Sequence, residues 1–262
     1  MQIILTIILA IIGGLLTFGI IELIKYIFSR IRLRHLRKFF GEDVVSSDAF
    51  HLVYAEFILP KFINNNQLPS HPFKKPGKEK SGIGFSMHNP ISSCEVRSIK
   101  YLVESLFPQK GDKLMLSSDT ELSKQLNISF VAFGDPLSNY KTKDIMQNEG
   151  TELIGFDNIK FYSVKSNQVV LIPDGQYDYG IILKIHPKQF SERTWFACAG
   201  LDEWGTSGAA WYLAKKWKSL YNFAKDSPFA VIVRVNKGQD ESAKIVLKAK
   251  NQDDIDKYIN KV

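Results

Sequence analysis

Hydrophobic residues run almost without interruption through the start of the chain. Residues 3–21 are apolar apart from two threonines and three glycines, and the first charged residue is Glu22. Nineteen residues of helix span about 28 Å, close to the thickness of the hydrocarbon core of a bilayer. The pattern predicts a single transmembrane anchor, which we place at residues 1–28, with residues 3–28 in contact with lipid. A cleaved signal peptide is the alternative, but no cationic residue precedes the run and no small-x-small cleavage site follows it.

After residue 44 the pattern alternates between strand and helix periods, which is typical of an α/β domain. Strands are predicted at residues 51–59, 113–116, 128–133, 160–164, 169–172, 179–185, 195–199, 229–235 and 243–247. Helices are predicted at residues 92–106, 118–126, 139–148, 206–224 and 253–259. The pattern predicts a Rossmann-like, mostly parallel sheet with helices on both faces. The segments at 160–185 are expected to form an antiparallel meander inserted in or edging that sheet, and those at 229–247 a hairpin.

Charge distribution changes this picture by adding a topology. Residues 1–38 hold six Lys or Arg and one Glu, a net charge of +5 out of +7 for the whole chain. The six basic residues are Lys25, Arg30, Arg32, Arg34, Arg37 and Lys38. The positive-inside rule then predicts a single-pass protein of the cell membrane whose C-terminal part is cytoplasmic. Because most of the basicity is juxtamembrane, nucleic acid is the weaker alternative as a partner.

Domain organisation follows from these two patterns. We expect a basic juxtamembrane helix at residues 29–44 and one cytoplasmic α/β domain at residues 45–262, with a long loop at residues 61–90. Two cysteines, Cys94 and Cys198, are expected to be buried reduced thiols, which suits a cytoplasmic domain. The oligomeric state is left open.

Two loops begin where a predicted central strand ends, the place where open α/β sheets bind ligands. The loop at residues 134–139 offers Gly134, Asp135, Ser138 and Asn139. The loop at residues 200–208 offers Gly200, Trp204, Gly205, Thr206, Ser207 and Gly208. The free N–H groups of the helix that follows the second loop would favour an anion, whereas Asp202 and Glu203 would repel one unless they point elsewhere or contact ribose hydroxyls. The alternative is that the first loop is a capped turn and the second a tight packing contact, neither needing a ligand.

The second loop also resembles a known turn. Asp202, Gly205, Thr206 and Tyr212 resemble the Gly-Thr turn of the nucleoside deoxyribosyltransferase and SLOG-type nucleotide-binding Rossmann families. Those families carry their catalytic glutamate three residues after the threonine, where this chain has Ala209. The resemblance therefore implies a binding role rather than that catalysis.

The strand and helix order also resembles TIR-like domains. The nearest candidates for the catalytic glutamate of those domains are Glu95 and Glu104, for which helix-surface charges are the alternative.

These observations lead to an expected function with two alternatives. We expect the domain to bind a nucleotide-like or other anionic small molecule between the two loops, as a sensor. One alternative is a nucleosidase- or hydrolase-type enzyme, with catalytic candidates Asp135, Asp178, Asp202 and Glu203. The other is a non-catalytic scaffold. The five histidines show no metal-binding spacing, so no metal site is predicted, and no cofactor is identified.

Overall fold

The computed structural model describes residues 2–45, 50–57, 91–106, 114–148, 153–157, 159–172 and 175–261. The loop predicted at residues 61–90 lies outside these described residues for all its length. The helices are α1 (Gln2–Phe40), α2 (Ser93–Leu106), α3 (Tyr140–Lys143), α4 (Glu203–Ala224) and α5 (Gln252–Ile259). A 3-10 turn at Glu42–Val44 follows α1, and a π-helical turn at Asp144–Asn148 extends α3.

Ten strands form two sheets within the described residues. They are β1 (Phe50–Tyr54), β2 (Leu114–Ser118), β3 (Phe130–Phe133), β4 (Ile154–Phe156), β5 (Phe161–Ser163), β6 (Val169–Leu171), β7 (Tyr177–Ile185), β8 (Trp195–Gly200), β9 (Phe229–Asn236) and β10 (Gln239–Ala249). Seven strands make the main sheet in the order β10-β9-β7-β8-β3-β1-β2, and β4, β5 and β6 make a small antiparallel sheet. The predicted mixed α/β class is confirmed.

Strand direction divides the main sheet into two parts. The neighbours β2, β1, β3 and β8 pair in parallel. The neighbours β8, β7, β9 and β10 pair antiparallel, which confirms the hairpin predicted at 229–247. The meander predicted at 160–185 splits instead, because β5 and β6 belong to the small sheet while β7 lies in the interior of the main one. Residues of β7 are buried almost throughout, as an interior strand requires.

The prediction of a helix at residues 118–126 is wrong, because hydrogen-bonded turns occupy residues 119–124. The carboxylate of Asp119, at the start of this segment, accepts hydrogen bonds from the N–H groups of Glu56 (2.8 Å) and Tyr140 (2.9 Å). Both acceptor oxygens are therefore committed to segments far away in sequence. Leu122 is still buried, so the turn keeps the apolar contact that suggested a helix.

Helix α1 is long, and its two ends lie in different environments. One helical stretch among the described residues, Ile12–Phe40, is long and apolar enough to cross a membrane, and none of its most apolar window is buried in the protein. The last turn differs, because Phe39 and Phe40 are both 0% exposed. Phe40 lies 5.1 Å from Phe196, and Phe39 lies 6.3 Å from Trp217, measured between ring centroids.

The end of α1 is therefore part of the core. A cluster of buried residues joins Leu36, Phe39 and Phe40 to α2, α4 and one set of strand positions. The folded core therefore begins at about Leu36, before the domain start that was predicted at residue 45. A second buried cluster joins the alternate strand positions to the small sheet and to Ile255 of α5.

Candidate ligand-binding site

The two loops singled out from the sequence leave the main sheet on the same side, at the carboxyl ends of two neighbouring strands. Strands β3 and β8 are parallel neighbours, with Phe133 opposite Cys198. The N–H of Gly134 donates to the carbonyl oxygen of Cys198 at 3.1 Å, which ties the start of the first loop to the strand before the second. Each loop then leads into a helix, α3 or α4. The geometric condition for a shared crevice, that the two strands are adjacent, is therefore met.

The first loop is held by its own side chains. Asp135 Oδ1 accepts hydrogen bonds from the N–H groups of Leu137 (2.7 Å) and Ser138 (2.8 Å). Asn139 is fully buried and caps α3, since its Oδ1 accepts from the N–H groups of Lys141 and Thr142. This arrangement is the capped β-to-α turn expected of an Asn at the N-cap.

Asn139 also joins two strands of the main sheet. Its Nδ2 donates to the carbonyl oxygens of Phe133 (2.9 Å) and Val53 (3.3 Å), one on β3 and one on β1. With both oxygen and nitrogen engaged, its amide is fully used inside the protein. Among the residues proposed from this loop, Asn139 is thus a structural residue, while Asp135 and Ser138 lie beside a cleft described below.

At the second loop, carboxylates of the protein itself occupy the start of α4, where an anionic ligand was expected. The N–H of Gly205 donates to Asp178 Oδ2 at 2.5 Å, and the N–H of Glu203 donates to Asp202 Oδ1 at 2.8 Å. Asp178 comes from β7, is 3% exposed, and has its pKa raised by burial. The first turn of α4 is therefore already neutralised by two carboxylates of the chain itself, which use the same N–H groups that would bind a phosphate.

Glycines in and beside this loop allow a helix and a strand to touch. A Cβ on Gly205 would lie 2.2 Å from the carbonyl oxygen of Tyr179, and a Cβ on Gly180 would lie 2.0 Å from that of Gly205. A Cβ on Gly200 would lie 2.2 Å from the nitrogen of Thr206. These are backbone contacts that no side-chain rotation can relieve. The close packing of α4 on β7 and β8 thus accounts for the glycine spacing that suggested ligand binding.

The remaining candidates of the second loop pack against α2 and β10. Ser207 is 0% exposed and donates to Asp240 Oδ1 at 2.5 Å. Arg97 donates to Asp240 Oδ2 at 2.9 Å and stacks on the ring of Trp204 at 4.2 Å. Tyr101 donates to the same Asp240 oxygen at 3.0 Å. Trp204, Ser207 and Asp240 therefore belong to a polar network that joins three elements, and Thr206 is 4% exposed at its edge.

The most unusual titratable group at this edge is Glu95, one of the two candidates that the resemblance to TIR-like domains indicated, for which a helix-surface charge was the alternative. Glu95 lies in the first turn of α2 and is only 2% exposed. Its Oε1 accepts a hydrogen bond from the N–H of Ala55 at 3.2 Å, and its Oε2 has no hydrogen-bond partner in the described part of the chain. Burial, with smaller contributions from the carboxylates of Asp119 and Asp135, raises the pKa of Glu95 to about 7.

Glu104, near the other end of α2, has a different environment from Glu95, which the sequence did not indicate. The Glu104 side chain is 49% exposed and pairs with Lys215 at 3.6 Å and Lys100 at 3.9 Å. Both glutamates lie on the same amphipathic helix, and no local signal separates them. What separates them is distant in sequence: the residues that follow β1 pack against the start of α2 and bury Glu95. The burial of Glu95 could therefore be predicted only if the strand order were known.

A cleft of about 400 Å³ opens at the ends of β1, β2 and β3. It is lined by Glu56, Phe57, Asp119, Thr120, Asp135, Leu137, Ser138 and Tyr140. The apolar rim is open to solvent, since Leu137 is 76%, Tyr140 53% and Phe57 42% exposed. Apolar walls with a few placed polar groups are typical of small-molecule sites.

Glu95 lies directly behind this cleft. A Cβ on Gly134 would lie 3.1 Å from Glu95 Oε1 and 3.1 Å from Ser138 Oγ, so Gly134 leaves room between the two groups. The φ angle of Gly134 is +94°, a conformation that glycine adopts without strain. The Oε1 of the buried Glu95 carboxyl group therefore lies close to Ser138, a side chain that lines the cleft.

The chemistry of this edge favours hydroxyl groups or cations over phosphate. Glu56, Asp119 and Asp135 line the cleft, and none of the residues that line it is Lys or Arg. Such carboxylates accept hydrogen bonds from sugar hydroxyls and repel anions. Among the residues that the structure describes, no three His, Cys, Asp or Glu side chains group closely enough to hold a metal ion. Cys94 and Cys198 are buried and unpaired with each other, and burial raises the pKa of both thiols.

Comparison with known proteins gives no relative: no protein-family model, curated protein or solved structure matches the chain. The fold and the cleft define a mixed α/β protein with a long apolar N-terminal helix.

Proposed function

We propose that this chain is a single-pass, membrane-anchored α/β protein whose cytoplasmic domain binds a nucleoside-like, hydroxylated small molecule and acts as a sensor. We further propose a Rossmann-like arrangement with helices on both faces of the sheet. The observation that carries the binding proposal is the buried carboxyl group of Glu95, whose Oε1 lies beside Gly134 and the cleft-lining Ser138 and whose Oε2 has no hydrogen-bond partner among the described residues. A buried polar atom without a partner is costly, and a ligand hydroxyl or amino group would supply the missing hydrogen bond.

This proposal narrows the ligand class expected from the sequence. A phosphate would have to enter a cleft walled by carboxylates or displace Asp178 from the start of α4. The sugar and base portions of a nucleotide-like ligand are uncharged, so they are not repelled by the carboxylates and do not need to displace Asp178. Hydroxyls can donate to the carboxylates, and a base can stack on the exposed Tyr140 or Phe57.

Binding by the full chain in detergent micelles tests this proposal. Isothermal titration with a panel of nucleosides, and with the matching 5′-monophosphates, should give heat for nucleosides and weaker binding for monophosphates. Glu95→Gln should weaken binding by roughly 5- to 150-fold, the equivalent of about 1–3 kcal/mol for one hydrogen bond. Glu104→Gln, on the same helix but paired at the surface, is the matched control and should bind like the wild type. Equal binding by both variants, or preference for monophosphates, would contradict the proposed site.

A second candidate function, hydrolysis of an N-glycosidic bond, is favoured by one observation. The pKa of Glu95 is raised to about 7, which suits a group that donates a proton near neutral pH. In that reaction water adds to the sugar carbon, the bond to the base breaks, Glu95 supplies the proton that the departing base takes up, and Asp135 accepts the proton that the water loses. Of the four catalytic candidates from the sequence, Asp135 lines the cleft, whereas Asp178 and Asp202 accept hydrogen bonds from N–H groups of α4.

Turnover separates the two candidates. An enzyme should release free base from a nucleoside, with a rate that falls as the pH rises through about 7 because the acid form of Glu95 is lost. Glu95→Gln should abolish that release while binding is measured in parallel. Binding without release of base at any pH favours the sensor.

Membrane anchoring and topology form a separate part of the proposal. They are supported by the apolar stretch of α1 and by the six basic residues that follow the uncharged run at residues 3–21. The full chain should resist alkaline extraction from membranes, and a C-terminal reporter should be active in the cytoplasm. Release as a soluble protein, or a reporter active only outside the cell, would refute this part and leave the binding proposal standing.

A further inference from the structure

The two ends of the main sheet carry opposite charge. The end where β3 and β8 finish is acidic, and Glu95, Asp119, Asp135, Asp178 and Asp202 lie there. The end where those strands begin is the end that α1 enters. Exposed basic side chains lie at that end on α1, on the last turns of α4 and at the end of β10. We call five of them the anchor-side surface: Arg34, Lys38, Lys218, Lys225 and Lys248.

Aromatic rings connect this surface to α1. Lys225 Nζ lies 5.0 Å from the ring of Tyr221, which itself lies 4.9 Å from the ring of His35 on α1. Lys218 Nζ lies 5.8 Å from the ring of Trp217, which contacts Phe39. Ring contacts of this kind hold the stems of lysine side chains while the charged ends stay in solvent.

The lysine of β10 is placed in the same way. Lys248 Nζ lies 4.9 Å from the ring of Phe223, which lies 6.4 Å from Phe229 at the start of β9. Phe229 stacks on Phe39 at 5.9 Å. Lys218, Lys225 and Lys248 are therefore all positioned around the last turn of α1.

Acidic groups at this end do not cancel the surface, because several are already paired. Asp226 accepts from the buried Lys184 at 3.1 Å, and Glu42 pairs with Arg37 at 2.9 Å. Asp43 is buried and pairs with Arg193. These three carboxylates have cations of their own within reach, so the charges of the anchor-side surface remain available to a partner.

The distance along α1 identifies that partner. The predicted span ends at residue 28, and the domain first holds the helix at Arg32, whose Nη2 donates to the carbonyl oxygen of Ser105 at 2.8 Å. Four helical residues cover about 6 Å, so no flexible linker separates the predicted span from the domain. Phe39, around which the three lysines lie, is about 16 Å beyond residue 28 along the helix, and the headgroup layer extends about 5–8 Å beyond the hydrocarbon core. The remaining distance is roughly 10 Å, close to the Debye length of about 8 Å at physiological salt, so long basic side chains at this end reach the field of the headgroups.

We propose that the anchor-side surface binds anionic phospholipid headgroups and holds the domain against the bilayer with the acidic cleft facing the aqueous phase. This inference rests on the membrane anchoring in the proposed function. It adds a second membrane contact, made by α4 and β10 rather than by the anchor, and an orientation that keeps the cleft open to soluble ligands.

Energy transfer to the bilayer measures this contact in the full chain. Cys94 and Cys198 are buried, so a cysteine introduced by Ser219→Cys, at an exposed position beside Lys218, can carry a donor fluorophore selectively. Acceptor lipid is placed in vesicles of phosphatidylcholine alone or of phosphatidylcholine mixed with phosphatidylglycerol. We expect greater transfer in the anionic vesicles and a decrease in high salt.

Charge reversal supplies the decisive comparison. The variant Lys218→Glu/Lys225→Glu/Lys248→Glu should lower transfer in anionic vesicles to the value in neutral ones. A headgroup interaction of about 1 kcal/mol per lysine corresponds to about a fivefold change in the ratio of docked to undocked domain for each charge removed. The control Lys143→Glu/Lys165→Glu/Lys237→Glu changes net charge equally at exposed positions outside the surface and should retain the transfer.

Two results would overturn the inference in distinguishable ways. Equal transfer in neutral and anionic vesicles, or equal loss in both triple variants, excludes headgroup binding by this surface while leaving the anchor intact. Failure of the wild type to float with either kind of vesicle refutes the anchoring, and the docking with it.

Discussion

Phe39, in the last turn of α1, stacks on Phe229 at the start of β9, with ring centroids 5.9 Å apart and planes 13° from parallel. This contact joins the helix that carries the apolar segment to the main sheet. The core of the domain therefore includes residues that a boundary drawn at the end of the basic helix would remove. A helix whose last turn lies inside the core cannot rotate independently of the domain.

We therefore expect Phe39→Ala to lower the free energy of unfolding by about 3–5 kcal/mol, because the phenyl ring fills a space that the neighbouring side chains cannot close. A chain that begins at residue 41 should fail to unfold cooperatively for the same reason. Phe28→Ala is the control, since Phe28 is 68% exposed on the same helix. Thermal unfolding of the three proteins in detergent checks this, and a stable, cooperative fragment 41–262 would show that the contact is dispensable.

The titration of Glu95 predicts a pH dependence with a definite sign. Its pKa is raised from 4.5 to about 7 in the folded state, so the folded protein binds the proton more tightly than the unfolded chain does. The stability that this proton provides is fully present below pH 4.5 and is lost as the pH rises to about 7. The shift corresponds to roughly 3 kcal/mol.

Glu95→Gln removes this titration, because the amide carries no ionisable proton. The difference in unfolding free energy between the wild type and Glu95→Gln should therefore change between about pH 4.5 and 7 and be constant above it. Denaturant unfolding at a series of pH values measures that difference. A flat difference would mean that the carboxyl group of Glu95 is solvated in the folded protein.

Much of the fold could be predicted from the sequence, and the exceptions share a cause. Periodicity indicated the long helix α4 and the hairpin of β9 with β10, both of which depend on neighbours in the chain, whereas the basic helix was expected to reach residue 44 and ends at Phe40. The position of β7 between β8 and β9 depends on pairing with residues far along the chain, such as Gly180 with Gly200 and with Val233. Local patterns carry no information about such partners.

The candidate site shows the same division. The sequence identified the loop that begins at Gly134 and the edge of the sheet on which it lies. It did not indicate that Glu95, unlike Glu104, is buried, because the environment of that carboxyl includes Ala55 and Asp119, which approach it only in the folded sheet. It also did not indicate that Asp178, 27 residues before Gly205, would occupy the start of α4.

Asn139 was predicted to bind ligand, and its contacts lead to a different expectation. Asn139→Leu should lower the free energy of unfolding by at least about 2 kcal/mol, because it strips hydrogen bonds from two N–H groups and two carbonyls in a buried place. Asn139→Asp keeps the acceptor for α3 and loses the donors to Val53 and Phe133, so part of the stability should remain. Melting curves of both variants test this. Unchanged melting with lost ligand binding would restore the recognition role.

The glycines of the second loop give the sharpest separation between packing and ligand binding. Alanine in place of glycine ordinarily stabilises a helix by about 1 kcal/mol, so a destabilising effect of Gly205→Ala would have to come from a clash. Its Cβ would lie 2.2 Å from the carbonyl oxygen of Tyr179, and we expect a loss of about 1–3 kcal/mol or more. Gly180→Ala, which approaches Gly205 from the strand, should cost a similar amount.

Gly208→Ala is the matched comparison on the same helix, because its new Cβ would meet the methyl groups of Val235 at 2.4 Å, and a side chain can shift where a backbone cannot. The expected order of unfolding free energies is therefore wild type, then Gly208→Ala, then Gly205→Ala. Chemical denaturation in detergent measures the order, with nucleoside titration on the folded fraction in parallel. If Gly205→Ala keeps wild-type stability and loses only affinity, then α4 does not pack on β7 as closely as the Gly180 and Gly205 contacts require, and the glycine turn contacts ligand after all.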